Sequence, residues 1–293
     1  QEGDMQIRGF KLRLPLDVEF VFTANPEDYT NRGSIITPLK DRIQSQILTH
    51  YPVSTEISKK ITWQEARIPA VQAEKIRVPE VIKDLLEEIS FQARVSEFVD
   101  QKSGVSARLS ISAAENLLSA AERRLLVNKE EKTTVRITDF WGVVPAITGK
   151  VELVYEGEQE GAHAVAMTLL GRAVKKLFLE YFPNPEKLKK GQQRDPYGVI
   201  KAWFSGGNTV DLLNDAPNGN FYKAIDSVAG LRKVVEASVG EDEIGYYTWA
   251  ELCLFGLVEF QILSREVVDS RTVLRDLLSG LIRDEDFGED WKN

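Results

Sequence analysis

Cysteine is nearly absent: Cys253 is the only one in 293 residues, so no internal disulfide can form. It lies in the apolar run Leu252-Cys253-Leu254-Phe255, the setting of a buried and inert thiol. Histidine is almost as scarce. His50 and His163 stand far apart with no cysteine cluster beside them, which leaves a zinc site without a ligand set. No run of about 20 apolar residues offers a bilayer span, and the opening segment lacks the basic start and apolar stretch of a secretory signal. A cytoplasmic protein with no membrane partner is expected. Positive charge is also in deficit, with 37 Lys and Arg against 45 Asp and Glu and a formal charge of -8. No basic stripe rises above that background, and the short cluster at Lys187, Lys189 and Lys190 reads as a solvated linker, so nucleic acid is not an expected partner.

Apolar residues are well supplied, at 43% of the chain, enough for two or three compact units. Met5 to Leu16 alternates apolar and polar residues around Arg8-Gly9-Phe10 and predicts a β-hairpin turning at the glycine. Val18 to Thr23 is rich in β-branched and aromatic residues and stops at Asn25-Pro26, the pattern of a strand buried on both faces. Thr37-Pro38 matches an N-cap with proline at the first helical position, opening a short helix through Leu39 and Ile43, with a further strand at Gln46 to Leu48.

From Tyr51 onward the pattern becomes helical. Pro79 opens a helix whose apolar face is Ile82, Leu85, Leu86, Ile89 and Ala93. Ser112 and Glu115 form a capping box for a second, with Ala114, Leu117, Leu118, Ala121 and Leu125 on one face. A third starts near Thr138 and is bent or ended by Pro145. Val165, Leu169, Leu170, Ala173, Leu177 and Phe178 form the stripe of another, closed by Pro183-Asn184-Pro185. Turns are expected at Gly206-Gly207-Asn208 and Asn218-Gly219-Asn220, with helices at Phe221 to Ser238, Thr248 to Leu263 and Ser270 to Ile282. All strands are therefore expected before residue 50.

Two short segments carry chemistry. Thr23-Ala24-Asn25-Pro26 closes the expected strand, and Pro38-Leu39-Lys40-Asp41-Arg42-Ile43 follows it. Asn25, at the carboxyl end of a strand, sits where α/β sheets bind ligands, and its amide suits orientation of a water near a phosphate. Arg42, just beyond on a helix, suits neutralisation of charge in phosphoryl transfer on a neighbouring subunit, with Asp41 holding its guanidinium. Taken singly, Asn-Pro is turn chemistry and Asp-Arg a solvated surface pair.

Together, behind a hairpin and strand, these segments resemble sensor 1 and the arginine finger of AAA+ ATPases in the magnesium chelatase and MoxR-type group, whose strand ends T-x-N-P and whose next helix carries L-x-D-R-F/I. The string FTANPEDYTNRGSIITPLKDRIQSQILTHYP, Phe22 to Pro52, is closer to the chelatase-like members. The resemblance makes Arg108, after Gly104-Val105-Ser106-Ala107, the sensor 2 arginine at the entry of a lid helix. It extends more loosely through Thr134 to Pro145, Ile147 to Leu153 and Ala250 to Ser264.

The family's P-loop, G-x-x-x-x-G-K-[ST], has no counterpart. Gly149-Lys150 comes nearest and fails, with Val144 at the first glycine position and Val151 in place of the hydroxyl. A Walker B run of four apolar residues ending in Asp-Glu is missing too. Both precede the hairpin in the family, and the opening at Gln1 reads as the interior of a domain, so a truncated product is expected. The resemblance then implies an α/β fragment, a partial αβα core with its hairpin over residues 1–52, a helical lid over 53–150 and a helical C-terminal extension over 151–293. It implies ATP and Mg2+ as cofactors of the complete protein, neither gripped tightly by this chain alone. It also implies a homo-oligomeric ring, a hexamer in the family, serving chelatase subunits or a von Willebrand-factor-A-domain partner. A non-catalytic helical interaction or regulatory protein is the competing reading. Glu152, Glu156, Glu158 and Glu160 read as a solvated acidic segment rather than magnesium ligands, and Tyr246, Tyr247 and Trp249 as core rather than a porphyrin platform.

Overall fold

The computed structural model describes residues 4–13, 19–23, 41–187, 195–240, 245–268 and 271–277. Contacts divide the chain into two compact units, Gln1–Thr49 and His50–Asn293. The described residues form an α-rich chain with small sheets.

In the first unit, strands β1 (Asp4–Ile7) and β2 (Phe10–Arg13) make the expected antiparallel hairpin. Its two-residue loop has positive φ at both Arg8 (48°) and Gly9 (86°), the backbone of a type I′ turn, which matches the twist of the strands it joins. The register pairs Met5 with Leu12 and Ile7 with Phe10, so all four apolar side chains share one face, and all four are exposed. The strand expected at Val18 to Thr23 is a correction. Residues 19–23 adopt no strand, and Phe20, Val21 and Phe22 are 71%, 83% and 54% exposed. A strand buried on both faces needs partners along both edges and layers above and below; among the described residues of this unit only β1 and β2 pair. Phe20 to Phe22 thus form an exposed apolar surface; Val18 lies outside the described residues. The helix start at Thr37-Pro38 lies outside them as well. Asp41 and Arg42 form a turn, while Ile43 and the strand expected at Gln46 to Leu48 are irregular.

The second unit begins with helices α1 (Thr55–Glu65) and α2 (Ala70–Lys75), strand β3 (Ile76–Arg77) and helix α3 (Glu80–Val95). The Ser54 hydroxyl caps α1 by accepting the Ile57 N–H at 3.3 Å. The expected stripe of α3 is buried. Helix α4 (Arg108–Val127) starts earlier than the Ser112 capping box predicted: Ser112 and Glu115 are interior, and Glu115 accepts the Arg67 N–H instead. Its face from Ala114 to Leu125 is buried as expected. Strand β4 (Thr133–Thr134) pairs in parallel with β3. A 3₁₀ segment (Ile137–Val143) then passes into α5 (Val144–Thr148), whose first turn holds Pro145 where its missing N–H costs nothing.

Helix α6 (Tyr155–Glu160) leads into α7 (Ala162–Tyr181), whose expected stripe is buried. After α8 (Gly198–Ser205) and β5 (Val210–Leu213), the helix expected from Phe221 to Ser238 is two: α9 (Asn218–Asp226) and α10 (Leu231–Val239). They separate at Gly230, whose φ of 82° lies outside helical space. Helix α11 (Tyr246–Glu259) and strands β6 (Leu263–Val268) and β7 (Arg271–Asp276) complete the described chain.

The last strand overturns two expectations: a helix at Ser270 to Ile282, and no strands after residue 50. Strands β5, β7 and β6 form an antiparallel sheet in that order. Val210, Leu212, Thr272 and Leu274 alternate onto its buried face, while ion pairs Arg271–Asp211 (3.4 Å) and Arg275–Glu266 (2.6 Å) tie neighbouring strands. One hydrophobic core runs from Ile76 to Leu274 and crosses residue 150 without a break, with α3 packed on α7 and α7 on α11. Among the described residues no helix is long and apolar enough to cross a membrane.

Candidate functional site

Of the expected phosphoryl-transfer residues, Asn25 lies outside the described residues. Asp41 and Arg42 are exposed in a turn of the first unit. Arg108 is exposed at the first position of α4, its backbone N–H donating to the Ser106 hydroxyl at 3.1 Å. An exposed arginine at a helix start is a serviceable phosphate contact, since it keeps its five donors for a ligand.

The loop before Arg108 rests on a second arginine that sequence reasoning passed over. Arg94, in the last turn of α3, donates from Nε to the Val105 carbonyl at 3.2 Å. Its guanidinium lies 4.5 Å from the Tyr51 ring centre and 5.2 Å from that of Phe91. The Tyr51 hydroxyl accepts the Val105 N–H at 2.8 Å, so one loop residue holds both the ring and the cation. Both terminal nitrogens of Arg94 are buried without a partner, as are Glu87 Oε1 and Ser90 Oγ on the same helix. Burial lowers the basicity of Arg94 and raises the Glu87 carboxyl above its ordinary range.

A second polar centre joins α4, β4 and the 3₁₀ segment to α9 and α11. Arg124, fully buried, grips Asp139 with two bonds of 3.2 and 2.8 Å and also donates to the Thr133 hydroxyl, the Asn218 amide oxygen and the Thr134 carbonyl. Arg136 donates to the Ala216 carbonyl and to the same Asn218 oxygen, both at 2.9 Å, with its guanidinium 4.1 Å over the Phe221 ring. Burial, and then the charge of Arg124, bring Arg136 down to about 10. Glu251 accepts the Ile137 and Thr138 N–H groups at 2.6 and 2.9 Å, a carboxylate at the start of a 3₁₀ turn where free amides converge. Burial pushes its carboxyl up to about 7 against the pull of those amides. A cavity of about 20 Å³, lined by Arg136, Tyr222, Tyr247 and Glu251 among others, has room for roughly one water and none for a substrate.

Protein-family models, curated proteins and solved structures gave no match to this chain. Residue chemistry alone therefore assigns roles. Arg124, Arg136, Asp139 and Asn218 saturate one another and fix helices in place. Glu251 had a signal in the sequence, a lone carboxylate inside the apolar run Ala250 to Phe255. Arg124 had none, because it stands beside Glu122 and Arg123 like a solvated residue.

Cys253 is fully buried, and burial pushes its thiol well above the usual range. Tyr246 is core and Tyr247 and Trp249 pack against it, Tyr247 stacking 3.9 Å from Tyr222. Glu152 accepts the Ser103 hydroxyl, and Glu156, Glu158 and Glu160 lie on α6. Among the described residues no group of three or more His, Cys, Asp or Glu is arranged to hold a metal.

Proposed function

We propose that this chain supplies the sensor, arginine-finger and lid elements of a magnesium-chelatase-like AAA+ ATPase, which couples ATP hydrolysis in a ring to metal insertion or to remodelling of a partner protein. The observation that carries this reading is the ordered series of a hairpin, the Thr23-Ala24-Asn25-Pro26 sequence and the Asp41-Arg42 pair, ahead of a helical unit. The β1–β2 hairpin, formed with a type I′ turn ahead of the sensor segment, supports it. Arg108, exposed at the head of a 20-residue helix, supports it as well.

In this reading Asn25 orients the attacking water, Arg42 neutralises developing charge on a neighbour's nucleotide and Asp41 steadies Arg42. Arg108 contacts phosphate within its own subunit. These residues fit a contact with phosphate oxygens; the backbone cradle and magnesium-holding carboxylates of an ATP site have no sequence counterpart here. Calorimetric titration of this chain with Mg-ATP should show no micromolar binding. In a polypeptide joining this sequence to a P-loop-bearing half-domain, Arg42→Ala should leave ATP binding intact and remove most hydrolysis. Hydrolysis at the parental rate in assembled rings would overturn the finger assignment. The unbroken core from Ile76 to Leu274 favours a second reading, a non-catalytic helical docking protein, which predicts partner binding unaltered by Arg42→Ala and Arg108→Ala together.

A further inference from the structure

We propose that Arg94 is the centre of an oxyanion-binding site roofed by Tyr51, taking a phosphate or carboxylate group at the entry to α4. The site lies wholly within the second unit and does not depend on the ATPase reading.

A guanidinium has five N–H donors in a planar fork, and the fold occupies only Nε, with the Val105 carbonyl. Both terminal nitrogens are buried and unpartnered among the described residues. Glu87 interacts with the guanidinium through charge but makes no hydrogen bond to it. It sits two turns back on α3, one of its oxygens accepts the Ser58 hydroxyl, and the other is itself unpartnered. A buried charge left with free donors is destabilising, and such a cost persists where a ligand offsets it. The group that satisfies two parallel N–H donors best is an oxyanion presenting two oxygens.

Access runs past Tyr51. Its ring covers the guanidinium, yet the residue is 46% exposed, in a segment with no helix or strand. One hydrogen bond, from the Val105 N–H, and the ring–cation contact hold it there. Tyr51 is therefore the exposed side of the guanidinium's aromatic surroundings, and Phe91 on α3 is the other. The same loop runs on to Arg108, exposed three residues after Val105 at the head of α4.

The test is thermal unfolding of the full 293-residue chain in inorganic pyrophosphate, in acetate and in sodium chloride at matched ionic strength. The parental protein should melt higher in at least one of the two oxyanions than in chloride. A response to pyrophosphate alone assigns the site to phosphate, and an equal response to acetate assigns it to a carboxylate. Arg94→Met should lose the response, and without ligand should melt at or above the parent because the unpartnered charge is gone. Arg94→Lys, which keeps the charge and loses the fork, should need about tenfold more anion for the same shift. Equal responses from the parent and Arg94→Met would place the anion elsewhere and overturn the proposal. So would no response from the parent, which leaves interior water only, or a lower ligand-free melting point for Arg94→Met, which means the fold already satisfies the guanidinium.

Discussion

Arg94 and Arg124 occupy the same local position, the last turn of adjacent helices in one core, where a cation favourably meets the helix dipole. Their surroundings differ completely. Arg124 is closed in by Asp139, Thr133, Thr134 and Asn218, and every one of its nitrogens has a partner. Arg94 has one bond and two aromatic neighbours. Arg124 is fully buried and Arg94 partly so, and the further difference lies in whether the donors are used. A saturated guanidinium joins elements of the fold, while an unsaturated one leaves part of its chemistry available.

The largest expected effect that sharpens this contrast comes from Arg124→Met. It leaves Asp139 buried without its counter-charge, and urea unfolding should show a loss of about 3–5 kcal/mol. A loss below about 1 kcal/mol would erase the contrast with Arg94.

Glu251 gives the next effect, through pH. Its folded carboxyl titrates at about 7 against 4.5 for an unperturbed one, so the folded state binds the proton more tightly than the unfolded state. Its contribution is present in full below pH 4.5 and is lost as pH rises through about 7, a change of about 3 kcal/mol. Glu251→Gln should remove that part of the slope, read as the difference between parent and variant urea midpoints at pH 5 and pH 8. Parallel midpoints across that range would show that the two backbone amides, not burial, control this carboxyl. The smallest effect belongs to Arg108→Ala. Its exposed side chain should change stability by less than about 0.5 kcal/mol, which separates it from the fully buried Arg124.

Much of the second unit was legible because its helices bury one face at regular spacing, as α3, α4 and α7 do. The hairpin was legible because a glycine turn and alternation act locally. The strand β7 was not. Val273, Leu274 and the leucines after them have helical spacing, and what makes Arg271–Asp276 a strand is pairing on both edges, with β6 just before it and with β5 far back in the sequence. Residues 19–23 failed in the opposite direction: local composition favours a strand, but pairing requires edges that local composition does not supply. As for the candidate site, Arg108 was named through the family resemblance, at the entry of a helix that the structure forms as α4. Arg94 was hidden because its meaning depends on Tyr51 and Val105, which arrive from other segments.

The central place of β7 also orders events in time. Strands β5 and β6 both pair with β7, which follows them in the chain, so neither completes its ladder until Arg271–Asp276 has been synthesised. During translation the apolar side chains of Val210 and Leu212 must wait on a segment made later, and long-range pairing of this kind closes slowly. A ribosome pausing between Leu213 and Arg271 would prolong the life of an unpaired strand, the species most prone to aggregate. Synonymous codon choice across that interval should therefore influence yield without altering a single residue of the folded protein.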